Sequence, residues 1–270
     1  MNDVGTWIPV GALAEGFSPE SNILAPAYDL AGHSIGLNFE DGTTLTLRID
    51  REGDGQVIAQ EGDSRCPVRV TSLREQLYFI DYVPQDGSGV SVTFLLDVAA
   101  GSALQIIGTL PNAEDTACSL LTRAATGQPL TAVKVQFRAG RIMGNEGDYG
   151  FPRTAELVGK RVRYRYSKTE LYEHIYLNEA FYSWHCLSGV EAGLADTDLC
   201  HYFKLRANLY LFIWQEKIVP TLGIVTVDLE RNKTDGKIIG FAGYTPGKLA
   251  NFPVGAMASF ANYTPPPIQD

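Results

Sequence analysis

Short runs of alternating apolar and polar residues dominate the chain, and Gly, Pro or Asp separates most of them. Residues 34–39 and 43–50 alternate in this way, and the hairpin dipeptide Asp41-Gly42 lies between them. Residues two apart in a strand share a face, so each run predicts a strand with one buried side. Similar runs predict further strands at 56–59, 66–73, 76–83, 89–97, 103–107 and 133–137.

The same pattern resumes in the second half of the chain, after a Gly-rich loop at 140–153. It predicts strands at 157–166, 171–177, 181–187, 198–205, 209–217, 221–229 and 236–241. Short strands at even spacing are typical of an antiparallel meander or barrel. They leave little room for helix beyond one or two turns at 113–123.

The chain divides into four segments on these patterns. Residues 1–29 predict an extended segment that packs on a domain, because Trp7 and Phe17 would be costly to expose to water. The other segments are a first β-barrel at 30–140, a second β-barrel at 154–241 and a proline-rich tail at 242–270 that wraps a surface.

The two halves repeat one another at several positions, which predicts an internal duplication. The motif Leu73-Arg74-x-x-Leu77-Tyr78 recurs as Leu205-Arg206-x-x-Leu209-Tyr210. Other residues match between the halves at nearly the same separation in sequence. Those matches are Asp97 with Asp228, Gly101 with Lys233, and Ile106-Ile107-Gly108 with Ile238-Ile239-Gly240. Each copy has enough strands to close a small barrel, so we predict an all-β chain of two tandem antiparallel barrels.

Composition narrows the possible partners. A formal charge of −9 argues against nucleic-acid binding, which needs a basic face. No apolar run is long enough for a membrane span, and the N-terminus lacks the basic and apolar regions of a signal peptide. The four cysteines form no C-x-x-C pair, so we expect reduced thiols and a cytoplasmic location.

Rows of aromatic residues lie on single strand faces in the second half. If these rows face inward, they line a pocket suited to a small aromatic or apolar ligand. The alternative is that they simply fill a barrel core. The predicted ligand-binding residues are Tyr164, Tyr172, Tyr176, Trp184, Tyr202, Tyr210, Phe212 and Trp214.

Two ionisable residues share faces with these aromatics and are candidate catalytic groups. His174 would serve as a general acid or base, since its ordinary pKa lies near neutrality. Glu216 would be its partner carboxyl or a general acid. The alternatives are a structural histidine and a solvated glutamate at a strand end.

No recognised motif for a metal, a dinucleotide or a covalent nucleophile occurs in the sequence. His174, His185, His201, Cys186 and Cys200 lie near one another in the chain but in no zinc spacing. G-x-G-x-x-G and G-x-S-x-G are both absent. We therefore expect neither a metal nor a cofactor.

Five stretches carry a resemblance to a known family: residues 8–17, 154–162, 171–178, 196–200 and 209–214. On these residues the chain resembles the MoaF family, named molybdenum cofactor biosynthesis protein F, over nearly its full length. The resemblance implies a tandem of calycin-like (lipocalin-like) barrels and, through the family name, an accessory role in molybdenum cofactor biosynthesis. The chain has no Gly-rich phosphate loop or cysteine-pair cluster, as a pterin or molybdate enzyme would need.

Three functions remain open on the sequence. The first is a metal-free lyase, isomerase or cyclase that acts on a small aromatic or carbonyl compound in the second barrel. The second is a binding protein for such a compound without turnover, and the third is an accessory protein that works through its surface. A homodimer would follow if a sheet edge were exposed.

Overall fold

The computed structural model describes residues 6–18, 21–51, 57–61 and 64–265. The strands in these ranges are β1 (His33–Phe39), β2 (Thr44–Arg51), β3 (Val57–Glu61), β4 (Ser64–Arg74), β5 (Leu77–Tyr82), β6 (Val90–Asp97), β7 (Ser102–Thr109), β8 (Lys134–Ile142), β9 (Lys160–Arg165), β10 (Leu171–Tyr176), β11 (Phe181–Ser188), β12 (Ala195–Arg206), β13 (Leu209–Glu216), β14 (Thr221–Asp228), β15 (Lys233–Phe241) and β16 (Leu249–Tyr263). The helices are α1 (Val10–Phe17), α2 (Ala113–Ala117) and α3 (Leu120–Ala125).

The strands form two closed antiparallel barrels, which confirms the predicted fold class. In the first barrel, β1 to β8 follow one another in chain order and β8 pairs with β1. In the second barrel, β9 to β16 do the same and β16 pairs with β9. Residues 6–23 and 110–134, with α1, α2 and α3, belong to the compact unit of the second barrel.

The interior of the first barrel is packed with aliphatic and aromatic side chains from alternate strand positions. Fully buried members are Leu37, Leu47, Ile49, Ile80, Phe94 and Leu96. Each such side chain stabilises the fold by roughly 1.5–3 kcal/mol relative to an exposed one. The alternating sequence pattern of these strands therefore corresponds to a conventional barrel core.

The repeated Leu-Arg-x-x-Leu-Tyr motif forms the same local structure in both barrels. A register irregularity lies between Ser72 and Arg74 in the first copy and between Lys204 and Arg206 in the second. The turn that follows has a non-glycine residue at positive φ in each copy, 58° at Gln76 and 55° at Asn208. A shared bulge and a shared unusual turn support the predicted duplication.

One part of the predicted alignment is wrong by a residue. Asp97 pairs with Ser102, and the equivalent Asp228 pairs with Lys233. Counting five residues onward from each partner makes Ile107, not Ile106, the equivalent of Ile238. Gly101, with φ of 73°, likewise corresponds to Asn232, with φ of 53°, and not to Lys233. The repeated Ile-Ile-Gly letters are therefore out of structural register.

The C-terminal segment is not the wrapping tail that the sequence predicts. Leu249–Tyr263 forms β16, which pairs with β15 and β9 and closes the second barrel. Its inward positions carry small residues such as Ala256 and Ala258, and Pro253 is paired with Lys237 within the ladder. Because of these residues, the sequence of β16 lacks a clear alternation of apolar and polar positions. Residues 266–270 lie outside the described part of the chain.

The helices are short, and two of them begin at side-chain caps. Asn112 Oδ1 accepts from the Asp115 amide at the start of α2, and Ser119 Oγ accepts from the Thr122 amide at the start of α3. Both helices lie where one or two helical turns were predicted. Among the described helices, none combines the length and the apolar character needed to cross a membrane.

Helix α1 corrects the prediction of an extended segment at 1–29. It has no side-chain cap, and Gly11 and Gly16 both lower its intrinsic helix propensity. Val10, Leu13 and Phe17 nevertheless lie on one face and are buried. Gly11 lies so close to Ala242 that an added Cβ would be 2.6 Å from its carbonyl oxygen. Packing on the second barrel, and not local propensity, therefore stabilises α1.

Candidate functional site

The interior of the second barrel differs from that of the first because it is lined mainly by aromatic rings. The rows predicted on β10, β11 and β13 do face inward and meet in one cluster. His174 lies within this cluster, with ring centroids 4.7 Å from Tyr164 and 5.2 Å from Tyr182. The prediction that these rows share one interior is confirmed by the contacts, whereas their roles stay a prediction.

Several of the predicted ligand-binding residues pack against one another in the core of the second barrel. The hydroxyls of Tyr164 and Tyr176 are 2.6 Å apart and hydrogen-bonded, and both residues are fully buried. Phe212 stacks on Tyr202 at 5.6 Å. Tyr210 donates its hydroxyl hydrogen to Glu156 Oε2 at 2.8 Å. For these residues, the alternative that the rows fill the core describes the structure better.

A small cavity of about 30 Å³ lies at the end of the barrel where β13 finishes. It brings together five predicted residues: Tyr172, His174, Trp184, Trp214 and Glu216. It also includes residues that the prediction left out: Leu13, Phe17, Tyr166, Tyr182, Glu191 and Ile238. Tyr202 instead borders a different depression, with Arg153, Thr154, Ala155 and Glu179.

His174 is enclosed in apolar surroundings and is neutral. Burial lowers its pKa to about 3, because the cluster around it gives little solvation to an imidazolium ion. His174 is 4% exposed, and among the residues that the structure describes none is a hydrogen-bond partner for its buried Nδ1. An unpaired buried polar atom costs free energy, so this nitrogen is a candidate contact for a ligand.

Glu216 ends the inward row of β13 and has an unusually basic carboxyl group. The residue keeps part of its surface exposed, but its carboxyl is desolvated, and this raises its pKa well above the ordinary value. Asp198 and Glu191 raise it further by charge repulsion. The indole Nε1–H of Trp214 donates to Glu216 Oε1 at 2.8 Å and fixes its position.

Glu191 is a second carboxyl in the same cavity, and it lies in the loop between β11 and β12. Burial raises its pKa to about 7, and Glu170 contributes in the same direction. The hydroxyl of Tyr172 donates to Glu191 Oε2 at 2.9 Å. A loop glutamate has no periodicity that would mark it in a sequence, whereas Tyr166 and Tyr182 share faces with predicted residues.

Trp184 is held in place from outside the cavity. Its Nε1–H donates to Asp198 Oδ2 at 3.0 Å, and Asp198 is itself paired with Lys217, Nζ to Oδ1 at 3.2 Å. Lys217 also pairs with Asp196. Lys217 therefore forms ion pairs with two aspartates. It is not among the described residues that line the cavity.

Helix α1 covers the cavity. The ring of Phe17 packs against Tyr166 at 4.8 Å and Tyr172 at 5.6 Å, and Leu13 lines the cavity beside it. Trp7, just before the helix, meets Trp184 edge to face at 5.8 Å. A ligand larger than the cavity must therefore displace α1 or the rings beneath it.

Gly223 is required for the position of Trp214, because a Cβ there would lie 2.1 Å from Cε2 of the indole. We expect Gly223→Ala to displace Trp214, shift its fluorescence and lower the free energy of unfolding by about 1–3 kcal/mol. Gly243→Ala is the matched control, since no atom of the described residues lies within 4 Å of an added Cβ there. Equal effects of the two substitutions in urea unfolding would contradict this account of Gly223.

Cys186, Cys200 and His201 of this barrel have hydrogen-bond partners. All four cysteines are free thiols, and burial raises the pKa of Cys186 to about 11 and that of Cys200 to about 12. His201 Nε2 is 2.9 Å from Gln215 Oε1. In the described ranges, no three His, Cys, Asp or Glu side chains are grouped so as to hold a metal ion.

Fold and site together define a class: tandem antiparallel β-barrel proteins in which one barrel encloses an aromatic cavity with buried ionisable groups. Comparison with known proteins gives the family. The model of the MoaF N-terminal domain matches residues 5–112, and that of the MoaF C-terminal domain matches residues 151–264. Protein MoaF of Klebsiella aerogenes is 42% identical over 265 residues, 98% of each chain. The chain therefore belongs to the MoaF family.

Similarity to solved structures is weaker. A protein from Burkholderia vietnamiensis that carries the provisional name beta-lactamase aligns with 15% identity and a TM-score of 0.34. The alignment covers 41% of this chain and 100% of that one. A score this low supports no argument about activity.

Proposed function

We propose that the second barrel binds a small aromatic molecule in the cavity beneath α1. The observation that carries the proposal is the buried, unpartnered Nδ1 of His174 among aromatic rings that line the cavity. Ligand sites typically combine apolar walls with a few placed polar groups. A barrel that served only as a core would gain stability from an apolar residue at this position.

The closed cavity is much smaller than such a ligand. Its volume of about 30 Å³ leaves room for only about two or three water molecules. An aromatic compound therefore enters only when α1 shifts, since Leu13 and Phe17 form the cover. The proposal requires an opened form of the barrel in which these two side chains leave the mouth.

Acid–base catalysis is the second candidate function, and Glu191 is the observation that favours it. A carboxyl with a pKa of about 7 can donate and accept a proton near neutral pH, which is the property of an efficient general acid or base. Neutral His174 would act as a hydrogen-bond acceptor in the same cavity. The reaction would be a lyase, isomerase or cyclase step without a cofactor.

Titration with phenols and aromatic carbonyl compounds tests the proposal. Trp184 and Trp214 line the cavity, and Trp7 contacts Trp184, so ligand binding should change the tryptophan fluorescence. We expect His174→Ala to weaken binding by about tenfold, the value of one hydrogen bond with a buried partner. His33→Ala, at an exposed position of the first barrel, is the control.

Product analysis in the same titrations separates binding from turnover. Turnover that disappears in Glu191→Gln, Glu216→Gln or His174→Ala would favour the enzyme over the binding protein. Saturable binding without product would favour the binding protein. If no compound of the panel changes the fluorescence, the proposed function is wrong and a role through the protein surface takes its place.

A further inference from the structure

The cavity beneath α1 combines ring faces with acidic side chains. Two carboxyl groups, those of Glu191 and Glu216, line it together with neutral His174. Its lining contains no lysine or arginine among the described residues. The aromatic members are Phe17, Tyr166, Tyr172, Tyr182, Trp184 and Trp214. Such a set of side chains is suited to a ligand of a particular charge.

Among the described residues that line the cavity, none is a counter-ion for the two carboxyls. Each is partly desolvated, and Glu216 is repelled by Glu191 as well as by Asp198. The positive charge of Lys217 is directed to Asp196 and Asp198. A cation brought in by a ligand would relieve this repulsion, whereas an anion would add to it.

We propose that this cavity recognises the ammonium group of a small organic amine with an aromatic or apolar body. The inference rests on the proposed function and specifies the class of ligand. Ammonium groups bind favourably over the faces of tryptophan and tyrosine rings, and carboxylates strengthen the attraction. The cavity volume of about 30 Å³ fits an ammonium head, and the body of the amine lies where α1 now covers the barrel.

His174 gives the ammonium group a neutral hydrogen-bond acceptor. The imidazole remains unprotonated because burial lowers its pKa, so it does not repel a cation. Its Nδ1 has no hydrogen-bond partner within the described part of the chain. An ammonium N–H donor at this nitrogen would satisfy it, as the hydroxyl of Tyr172 already satisfies Glu191.

Three ligands of one shape and different charge test the inference on the full chain. Benzylammonium, benzyl alcohol and benzoate are titrated at pH 8 by calorimetry and by tryptophan fluorescence. We expect benzylammonium to bind at least about tenfold more tightly than benzyl alcohol, with benzoate the weakest. This comparison uses the wild-type protein and does not depend on any variant folding.

Variants then place the cation in the cavity. Glu191→Gln and Glu216→Gln should each weaken benzylammonium binding by about tenfold and leave benzyl alcohol within about twofold. Glu179→Gln removes the same charge from an exposed turn at the other end of the barrel and should change neither. Circular dichroism confirms that each variant is folded.

The outcomes distinguish this inference from the proposed function. If benzyl alcohol binds as tightly as benzylammonium, the amine inference is overturned and a neutral aromatic site remains. If benzylammonium binds but neither glutamine variant weakens it, the cation lies elsewhere and the inference is again overturned. If phenols, carbonyl compounds and all three benzyl ligands fail to bind, both the inference and the proposed function are wrong.

Discussion

Phe17→Ala is expected to lower the free energy of unfolding of the second-barrel unit by about 3–5 kcal/mol. Phe17 is 3% exposed and packs against Tyr166, Tyr172 and Phe252, so truncation leaves a space that the surrounding rings cannot fill. All three tryptophans of the chain belong to this unit, so urea unfolding followed by tryptophan fluorescence reports on it alone.

Phe260→Ala is the control for this prediction, because Phe260 is 56% exposed on β16 of the same barrel. We expect its effect to stay within about 0.5 kcal/mol. The same substitution of Phe17 should also speed ligand entry, since the cover of the cavity is weakened. A loss below 1 kcal/mol in Phe17→Ala would mean that α1 contributes little to the unit and that its role as a cover is wrong.

Glu191→Gln should stabilise the protein at alkaline pH. The pKa of Glu191 is raised from 4.5 to about 7 in the folded state, so the folded protein holds this proton more tightly than the unfolded chain. Stability contributed by the group is therefore present below pH 4.5 and lost as the pH rises to 7. The loss amounts to about 3 kcal/mol, which the glutamine variant avoids.

Urea unfolding at pH 5 and pH 8 measures this difference. The wild-type protein should lose stability between the two values, and the loss should be about 2.5 kcal/mol smaller in Glu191→Gln. Glutamine keeps an oxygen that accepts the Tyr172 hydroxyl, so the substitution preserves that hydrogen bond. Glu179→Gln, in an exposed turn, should follow the wild type. An identical pH profile in Glu191→Gln and wild type would show that the carboxyl is solvated.

The barrels were predictable because their strands alternate and because the motif around Tyr78 recurs around Tyr210. In each copy, leucine and tyrosine are neighbours just after a tight turn. They therefore lie on opposite faces of the strand, which indicates where the strand begins and which residues share each face. Identical residues in the two halves did not align the strands of the two barrels correctly everywhere. The Ile-Ile-Gly match fails because one ladder position separates the two copies.

Two elements could not be predicted, because their conformation depends on distant contacts. Helix α1 contains two glycines and no cap, and it is stabilised by β15 and β16, which lie more than 200 residues later in the chain. Strand β16 has small inward residues and an internal proline, which is tolerated although proline cannot donate to the ladder. Local propensity is a weak signal in both cases.

The candidate site was predictable in part. His174 and Glu216 were placed on an inward aromatic row because residues two apart share a face. How deep each residue lies along the barrel depends on the stagger between strands, which the sequence pattern does not contain. Phe212 and Tyr176 therefore proved to be core, while Glu191 entered the site from a loop.

The position of α1 in the chain has a consequence for biosynthesis. This segment is translated before either barrel, and its partners follow much later: Phe17 packs against Tyr166 and Tyr172, and the hydroxyl of Tyr244 donates to the carbonyl of Trp7, 237 residues earlier. At about 5–20 residues per second, a ribosome needs on the order of ten seconds or more to cover that interval. Until these partners have been translated, the apolar face of α1 is exposed to water, where chaperones can bind it. Ribosome-bound chains that end before residue 240 should therefore leave Trp7 accessible to acrylamide quenching, and protection there would show that α1 docks earlier.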